Sequence, residues 1–286
     1  MTRLESFRDG LWLQREDEHE LGAFKWRGAA AVLDARRPEL VVTASTGNHG
    51  AATAWAARRA GVPAVVFVPE RASAAKLALI EAQGGELHRA GADMDEAKAA
   101  ARAFAAERGA FFFEDGAEPA QFDGYEAIGH ELLDAMPEPP GAVVVPVGNG
   151  ALAIGVFRVL ARRSPETLRV AVAAVEAPAM HASWQSGRPV DSDRCATFAD
   201  GLAVRVAIPL AVAELNPLVQ RFELVAEGEL EAAVREYAEA GIRVEGAAAA
   251  PLAAATRESL PRPAVLIVTG RNIDDPLYER ILMDGT

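Results

Sequence analysis

One cysteine, Cys195, stands among 286 residues, so no intrachain disulfide framework can form and the chain suits a reducing compartment. No motif of a catalytic thiol surrounds it. Basic residues are also scarce: 29 against 41 acidic ones leave a net charge of −12, a field that repels nucleic acid and anionic membranes. A small anion can still bind where local dipoles favour it. The opening residues, Met1-Thr2-Arg3-Leu4-Glu5, lack the basic-then-apolar pattern of a secretory signal. The most apolar stretch, Ala142 to Ala161, has the length of a membrane span, but Pro146, Gly148, Asn149 and Gly150 interrupt it. It reads as strand, tight loop and helix. There is no internal repeat and no low-complexity linker. The expectation is a cytoplasmic protein with no nucleic-acid or membrane partner.

Half of the residues are hydrophobic and 24% are charged, ordinary values for a globular protein long enough for two domains. Strand-like and helix-like segments alternate. Leu40 to Ala44 reads as a strand, Ala51 to Ala60 as a helix stopped by Gly61, and Pro63 to Val68 as a strand. Ser73 can cap a helix that reaches Gln83, and Asp93 to Arg108 reads as a helix ended by Gly109. Strand Ala110 to Phe113, helix Ala127 to Ala135, strand Ala142 to Val147 and helix Leu152 to Arg162 continue the series. Arg169 to Val175, Glu229 to Ala240 and Ala264 to Val268 complete it. This alternation predicts an α/β fold of parallel sheets flanked by helices.

Three short segments carry chemistry. Lys25, in Gly22-Ala23-Phe24-Lys25-Trp26-Arg27-Gly28-Ala29, opens a helix predicted to run to Arg37 before Pro38. The helix dipole and partial desolvation both favour a neutral amine there, the form that attacks an aldehyde. An isolated lysine at a helix start would be a surface residue. Ser45-Thr46-Gly47-Asn48-His49-Gly50 lies between a strand and a helix, where backbone N–H groups suit a carboxylate, although Gly and Asn are common in any such turn. Gly148-Asn149-Gly150-Ala151-Leu152 joins a strand to a helix and suits a phosphate. Together the three suit a carbonyl cofactor that carries a phosphate. A Gly-x-Gly turn with Glu176 after the next strand also imitates a dinucleotide site. That alternative, a nicotinamide-dependent oxidoreductase or nucleotide-binding protein, leaves Lys25 and Asn48 unexplained and has Ala153 at the third glycine position.

The Lys25 segment resembles the Ser-Phe-Lys-x-Arg-Gly-Ala motif of the threonine/serine dehydratase and serine racemase group of fold-type II pyridoxal-phosphate enzymes. Ala23 replaces the serine, and the likeness continues in order to Asn272. Phe198-Ala199-Asp200-Gly201 and Val244-Glu245-Gly246-Ala247-Ala248 resemble two further family segments of architectural weight. The resemblance implies the two-domain, tryptophan synthase beta-like architecture, with a small domain at 40–119 inserted into a large one formed by 1–39 and 120–286. It implies pyridoxal 5'-phosphate in Schiff-base linkage to Lys25, with Phe24 beside it and Asn48 bonding the phenolic oxygen. Gly148, Asn149, Gly150, Ala151 and Leu152 would hold the phosphate, and Thr269 the pyridine nitrogen. Ser45, Thr46, Gly47 and His49 would bind the substrate.

The implied reaction is β-elimination from a hydroxy amino acid such as threonine or serine, giving a 2-oxo acid and ammonia, with Lys25 as base. The alternative is an amino-acid racemase, with Thr46 as the catalytic acid on the face opposite Lys25. A β-replacement enzyme fits the Asn48-His49 pairing less well. His49 is a lesser candidate for the base. Glu176 stands where some members bind a cation, but Ala182 lacks the second carboxylate, so no metal is expected. The family usually forms homodimers. The acidic run Glu16-Asp17-Glu18-His19-Glu20 departs from the family pattern and reads as a solvated loop. No regulatory domain, and hence no feedback through one, is expected after Asn272.

Overall fold

The apolar runs form two parallel-rich sheets in the computed structural model, which describes residues 3–257 and 259–284. Two compact units result, Met1–Ala23 with Tyr125–Thr286, and Phe24–Gly124. Strands β1 (Arg3–Ser6) and β2 (Leu11–Arg15) open the larger unit. The smaller unit contains β3 (Val41–Ala44), β4 (Ala64–Val68), β5 (Glu86–Arg89) and β6 (Phe111–Phe112). The chain then returns to the larger unit for β7 (Ala142–Pro146), β8 (Leu168–Ala174), β9 (Arg221–Val225) and β10 (Ala264–Val268).

In the smaller unit the strand order is β5-β4-β3-β6, all parallel. Alternate side chains of β4 leave by opposite faces, as the two-residue period of a strand requires. Val66 and Val68 pack with Ala51, Ala54, Leu77 and Ile80 from helices Asn48–Ala60 and Ala74–Ala82. Val65 and Phe67 pack with Ala101 and Ala105 of helix Met94–Arg108. That helix starts where Asp93 Oδ1 accepts from the N–H groups of Asp95 and Glu96, each at 3.0 Å, and stops at Gly109 in the left-handed conformation. Burial on both faces explains why β4 reads as an unbroken apolar run.

The larger unit orders its strands β1-β2-β10-β7-β8-β9, parallel except for the antiparallel pair β1–β2 at the edge. Ala142 and Val144 of β7, Val170 and Val172 of β8, and Leu266 of β10 share one core with helices Glu227–Glu239 and Gly246–Arg257. Helix Ala151–Arg163 contacts β7 and β8. Helix Pro119–Ala135 begins eight residues before the predicted start at Ala127, and its first residue is a proline whose fixed φ suits a first turn. No helix among the described residues is long and apolar enough to cross a membrane.

The acidic run corrects the expectation of a solvated loop. Glu16 and Asp17 are buried in a 3-10 turn, Glu16–Glu18, directly after β2. Arg15 grips Asp17 by two parallel bonds, Nε to Oδ1 at 2.8 Å and Nη2 to Oδ2 at 2.7 Å, and donates from Nη1 to Glu5 Oε1 at 2.6 Å. A planar guanidinium neutralises the carboxylate that burial would otherwise make costly. Arg271 Nη1 also donates to the Asp17 carbonyl at 2.8 Å, tying the turn to the segment after β10. Removing Asp17 leaves Arg15 short of its principal partner. Asp17→Ala is expected to lower unfolding stability by about 2–4 kcal/mol, measured by urea denaturation; a loss below about 0.5 kcal/mol, the range of a solvated loop, would contradict this role.

Candidate active site

The smaller unit gathers three polar side chains around one carboxylate. Lys25 caps helix Trp26–Arg36 from its N-terminal side, with backbone φ −63° and ψ −17°. Its Nζ lies 5.2 Å from the Phe24 ring centroid and donates to Asp115 Oδ2 at 2.6 Å. Asp115 Oδ1 accepts from Gln121 Nε2 at 2.6 Å, and Gln121 Oε1 accepts from the Gly116 N–H at 2.8 Å. His49 Nδ1 stands 3.7 Å from the same Asp115 oxygen. Its Nε2 meets Thr43 Oγ1 at 3.0 Å, and Thr43 in turn donates to the Phe113 carbonyl at 2.8 Å.

Local structure explains this convergence. Parallel pairing of β3 with β6 sets Val41 beside Phe111 and Val42 beside Phe112, so the residues leaving both strands emerge together. Helix Trp26–Arg36 packs on helix Asn48–Ala60, with Trp26 and Trp55 edge to face at 5.7 Å. A side-chain carbon at Gly124 would come within 2.6 Å of the Arg27 carbonyl oxygen and 2.8 Å of Ala31 Cβ. Glycine there lets the chain after Gln121 lie directly on the helix that Lys25 opens.

Burial pushes the His49 imidazole below its ordinary value against the pull of the Asp115 charge. Asp115 is held well below the usual carboxylate range: burial opposes its charge, but Lys25, His49 and Gln121 outweigh that cost. His49 also packs edge-on against Phe113 at 4.6 Å, which makes the ring part of the site's wall.

The Ser45–Gly47 turn follows β3. Ser45 N donates to the Phe67 carbonyl at 3.1 Å, and Gly47 N to Ser45 Oγ at 3.2 Å. Thr46 is half-buried and Gly47 exposed, with open space where a side chain would project from Gly47. Helix Asn48–Ala60 starts immediately afterwards and directs its first-turn N–H groups and positive dipole end to this turn. Gly50 closes the arrangement, since a side-chain carbon would lie 2.9 Å from the Ser45 carbonyl oxygen.

The larger unit presents a second set at the C-terminal ends of two neighbouring parallel strands, β7 and β10. Gly148, Asn149 and Gly150 leave β7, and helix Ala151–Arg163 begins at once, with Leu152 buried in its first turn. Gly150 adopts φ +97°, a conformation that favours glycine, and Gly148 runs against the Gly201 carbonyl too closely for any side chain. Asn149 Oδ1 accepts from Ala151 N at 3.1 Å and fixes the turn. The loop is a backbone cradle at a helix start, a fit for phosphate. Thr269 follows β10. It is only 2% exposed, and its Oγ1 has no hydrogen-bond partner among the described residues. A buried hydroxyl left unpaired costs about 1–3 kcal/mol. An acceptor such as a pyridine nitrogen would satisfy it, so this residue too fits pyridoxal phosphate. Glu176 faces Arg194 Nε at 3.9 Å, and no group of metal-ligating side chains occurs among the described residues.

The sequence profile described as pyridoxal-phosphate dependent enzyme matches residues 1–270. The chain belongs to this family. Membership identifies the cofactor as pyridoxal phosphate and replaces the nicotinamide alternative. Among the family's characterised proteins, the L-threonine ammonia-lyase of Geobacter sulfurreducens is 34% identical over 272 residues, covering 92% of this chain and 67% of that protein. The fold is similar to the processed threonine deaminase isoform 2 of Solanum lycopersicum, with a TM-score of 0.90 and 27% identity over 96% of this chain and 82% of that one. It is also similar to maize serine racemase, with a TM-score of 0.89 and 25% identity over 99% and 92% of the two chains.

Asp115 escaped the sequence reading. Its signal was its place, a carboxylate just beyond a short strand in a parallel sheet, where ligands of such folds bind. The depressed values of His49 and Asp115 have a definite linkage sign. In each case the unfolded chain binds the proton more readily, so the stability contributed is complete at high pH and is lost as pH falls. For His49 the loss starts near pH 6.5, and for Asp115 near pH 4. Urea midpoints measured from pH 7 to pH 5 are expected to fall more steeply for the wild type than for His49→Gln. From pH 4 downward they are expected to fall more steeply for the wild type than for Asp115→Asn. The opposite order of slopes would show that neither group is held in the stated form.

Proposed function

We propose that this enzyme is a lyase that eliminates the β-hydroxyl of threonine or serine and releases ammonia and a 2-oxo acid. The observation that carries the reading is the buried, unpartnered Thr269 hydroxyl. When bound, pyridoxal phosphate supplies an aldehyde that captures an amine and a conjugated ring that stabilises charge at the substrate α-carbon. A neutral hydroxyl on the ring nitrogen, in place of a carboxylate, leaves that charge less completely absorbed by the ring. Expulsion of a β-leaving group is then favoured over transamination. The named activities of the Geobacter sulfurreducens and Solanum lycopersicum proteins support the same chemistry.

Each residue then has a definite task. Lys25 Nζ would hold the cofactor through its aldehyde carbon and, as a free amine, would take the substrate's α-proton. Phe24 packs beside that amine. Ser45, Thr46 and Gly47, with the helix start at Asn48, receive the substrate carboxylate through N–H groups, and His49 braces the turn from behind. Asn48 positions the cofactor's phenolic oxygen. The Gly148–Leu152 amides bind the phosphate. The hydroxyl departs as water, and addition of water to the unsaturated product releases ammonia. The enzyme works as a homodimer in the cytoplasm, in keeping with the family habit, the single cysteine and the acidic charge.

Loaded with pyridoxal phosphate, the protein is expected to be yellow and, after borohydride reduction, to carry the cofactor on the peptide containing Lys25. Lys25→Ala should lose ammonia release from L-threonine by at least about a thousandfold, because it removes nucleophile and base together. An adduct on Lys98, or undiminished turnover in the variant, would refute the assignment.

A second reading rests on Thr46, a hydroxyl in the carboxylate turn, and on the likeness to maize serine racemase. If Thr46 protonates the face opposite Lys25, Thr46→Ala should lower interconversion of L- and D-serine by about a hundredfold while ammonia release from L-serine stays within about threefold. A coupled assay on both enantiomers measures this. Rapid racemisation with negligible oxo acid in the wild type would make racemisation the principal reaction.

A further inference from the structure

Each oxygen of Asp115 has its own donor, and only one of the two donors is a cation. Oδ1 accepts from Gln121 Nε2 at 2.6 Å, and Gln121 is itself buried, with its Oε1 held by the Gly116 N–H. Oδ2 accepts from Lys25 Nζ at 2.6 Å. His49 cannot take that place. Thr43 Oγ1 spends its hydrogen on the Phe113 carbonyl, so it accepts from His49 Nε2. Burial keeps the ring neutral, and its Nδ1, 3.7 Å from Asp115 Oδ1, is left with no hydrogen to give. Burial also opposes the charge of Asp115, and Lys25 is foremost among the groups that outweigh it. The pair is sheltered, with side chains 18% and 23% exposed, so water screens it poorly. Asp115 therefore presents a fixed negative charge to whatever Nζ carries.

We propose that Asp115 is a positioning residue for α-proton removal: its Oδ2 holds Lys25 Nζ once the substrate amine has displaced it, and stabilises the proton that Nζ then takes. This rests on the lyase reading above, in which Lys25 is the base, and adds a residue to it. Exchange of amines leaves Nζ uncharged. The substrate nitrogen, as a neutral amine, takes over the bond to the cofactor's aldehyde carbon, and its two hydrogens pass to Nζ. The contact with Oδ2 is then a hydrogen bond from a neutral donor. When the α C–H bond breaks, its electron pair stays on the carbon and is drawn into the cofactor. The proton joins the lone pair of Nζ, and the contact becomes an ion pair. Asp115 itself neither gains nor loses a proton. Its charge thus favours the proton transfer over the binding that precedes it, which raises kcat rather than affinity. The effect is indifferent to the side chain that the substrate carries.

The test uses protein loaded with pyridoxal phosphate, as wild type and as Asp115→Asn, which keeps an acceptor for Gln121 and removes the charge. Binding of L-serine is read from the change in the cofactor's visible band before the first turnover. Turnover is read from ammonia released with ordinary and with α-deuterated L-serine. Asp115→Asn is expected to bind L-serine within about threefold of the wild type and to lower kcat by about tenfold or more, the worth of a hydrogen bond to a charged group. Its isotope effect should be at least as large as that of the wild type, because proton removal is the step slowed. Binding weakened as much as turnover, a smaller isotope effect, or an unchanged or faster kcat overturns the inference. Should Asp115→Asn fail to fold, the wild type decides through its three lysines, Lys25, Lys76 and Lys98, labelled with nitrogen-15. A slowly exchanging ammonium signal that vanishes when pyridoxal phosphate is loaded supports the pair, and the lack of any such signal overturns it. Cofactor found elsewhere than on Lys25 overturns the lyase reading and this inference with it. A wild type loaded on Lys25 that exchanges the α-hydrogen of L-serine with solvent but releases no ammonia overturns the lyase reading alone, and the rate of that exchange then replaces kcat in the comparison.

Discussion

The ion pair between Lys25 Nζ and Asp115 Oδ2 is the contact on which the chemistry of the smaller unit turns. Its partners lie ninety residues apart. They meet because β6 joins β3 in parallel and because Gly124 lets the following chain lie against helix Trp26–Arg36. Burial opposes the Asp115 charge, and its neighbours outweigh that cost. Lys25, His49, Gln121 and Thr43 therefore form one set, in which each donor or charge offsets the desolvation of another. A lysine so held is kept in place by an ion pair, a contact that can be exchanged for another partner.

In the larger unit the corresponding constraint is the parallel pairing of β7 with β10. Parallel strands end on the same edge, so the glycine loop after Pro146 and the hydroxyl of Thr269 emerge side by side. Gly148 admits a close backbone approach in that loop and Gly150 a left-handed turn, while the Thr269 hydroxyl has no hydrogen-bond partner among the described residues. Native cores rarely tolerate such a group without a reason. An acceptor bound beside it, such as a ring nitrogen, would supply one.

The acidic turn after β2 shows why charge is a poor guide to exposure. Glu16 and Asp17 read as solvent-facing because the run from Gln14 to Glu20 holds no apolar residue, yet Arg15 is immediately adjacent and chelates Asp17 by both oxygens. Two elements were hidden for related reasons. Strand β9 alternates Arg221 and Glu223 with Phe222 and Leu224 at the sheet edge, so charged residues mask a short run. Helix Gly246–Arg257 is largely alanine and almost wholly buried, and a segment apolar nearly all round offers no 3.6-residue contrast.

From the sequence alone followed the parallel α/β character, most of the strand and helix positions, and the three segments with lysine, carboxylate-turn and phosphate-loop chemistry. These are local properties: a strand with two buried faces must be continuously apolar, and a cradle at a helix start needs glycine at particular turns. The pairing of Lys25 with Asp115, the bracing of His49 by Thr43, the burial of Asp17 and the unpartnered state of Thr269 were decided only by tertiary structure. Each depends on which residues meet across strands and helices distant in the chain. The hydrogen-bonding and charge balance of a buried group is set by those neighbours and not by its own place in the sequence.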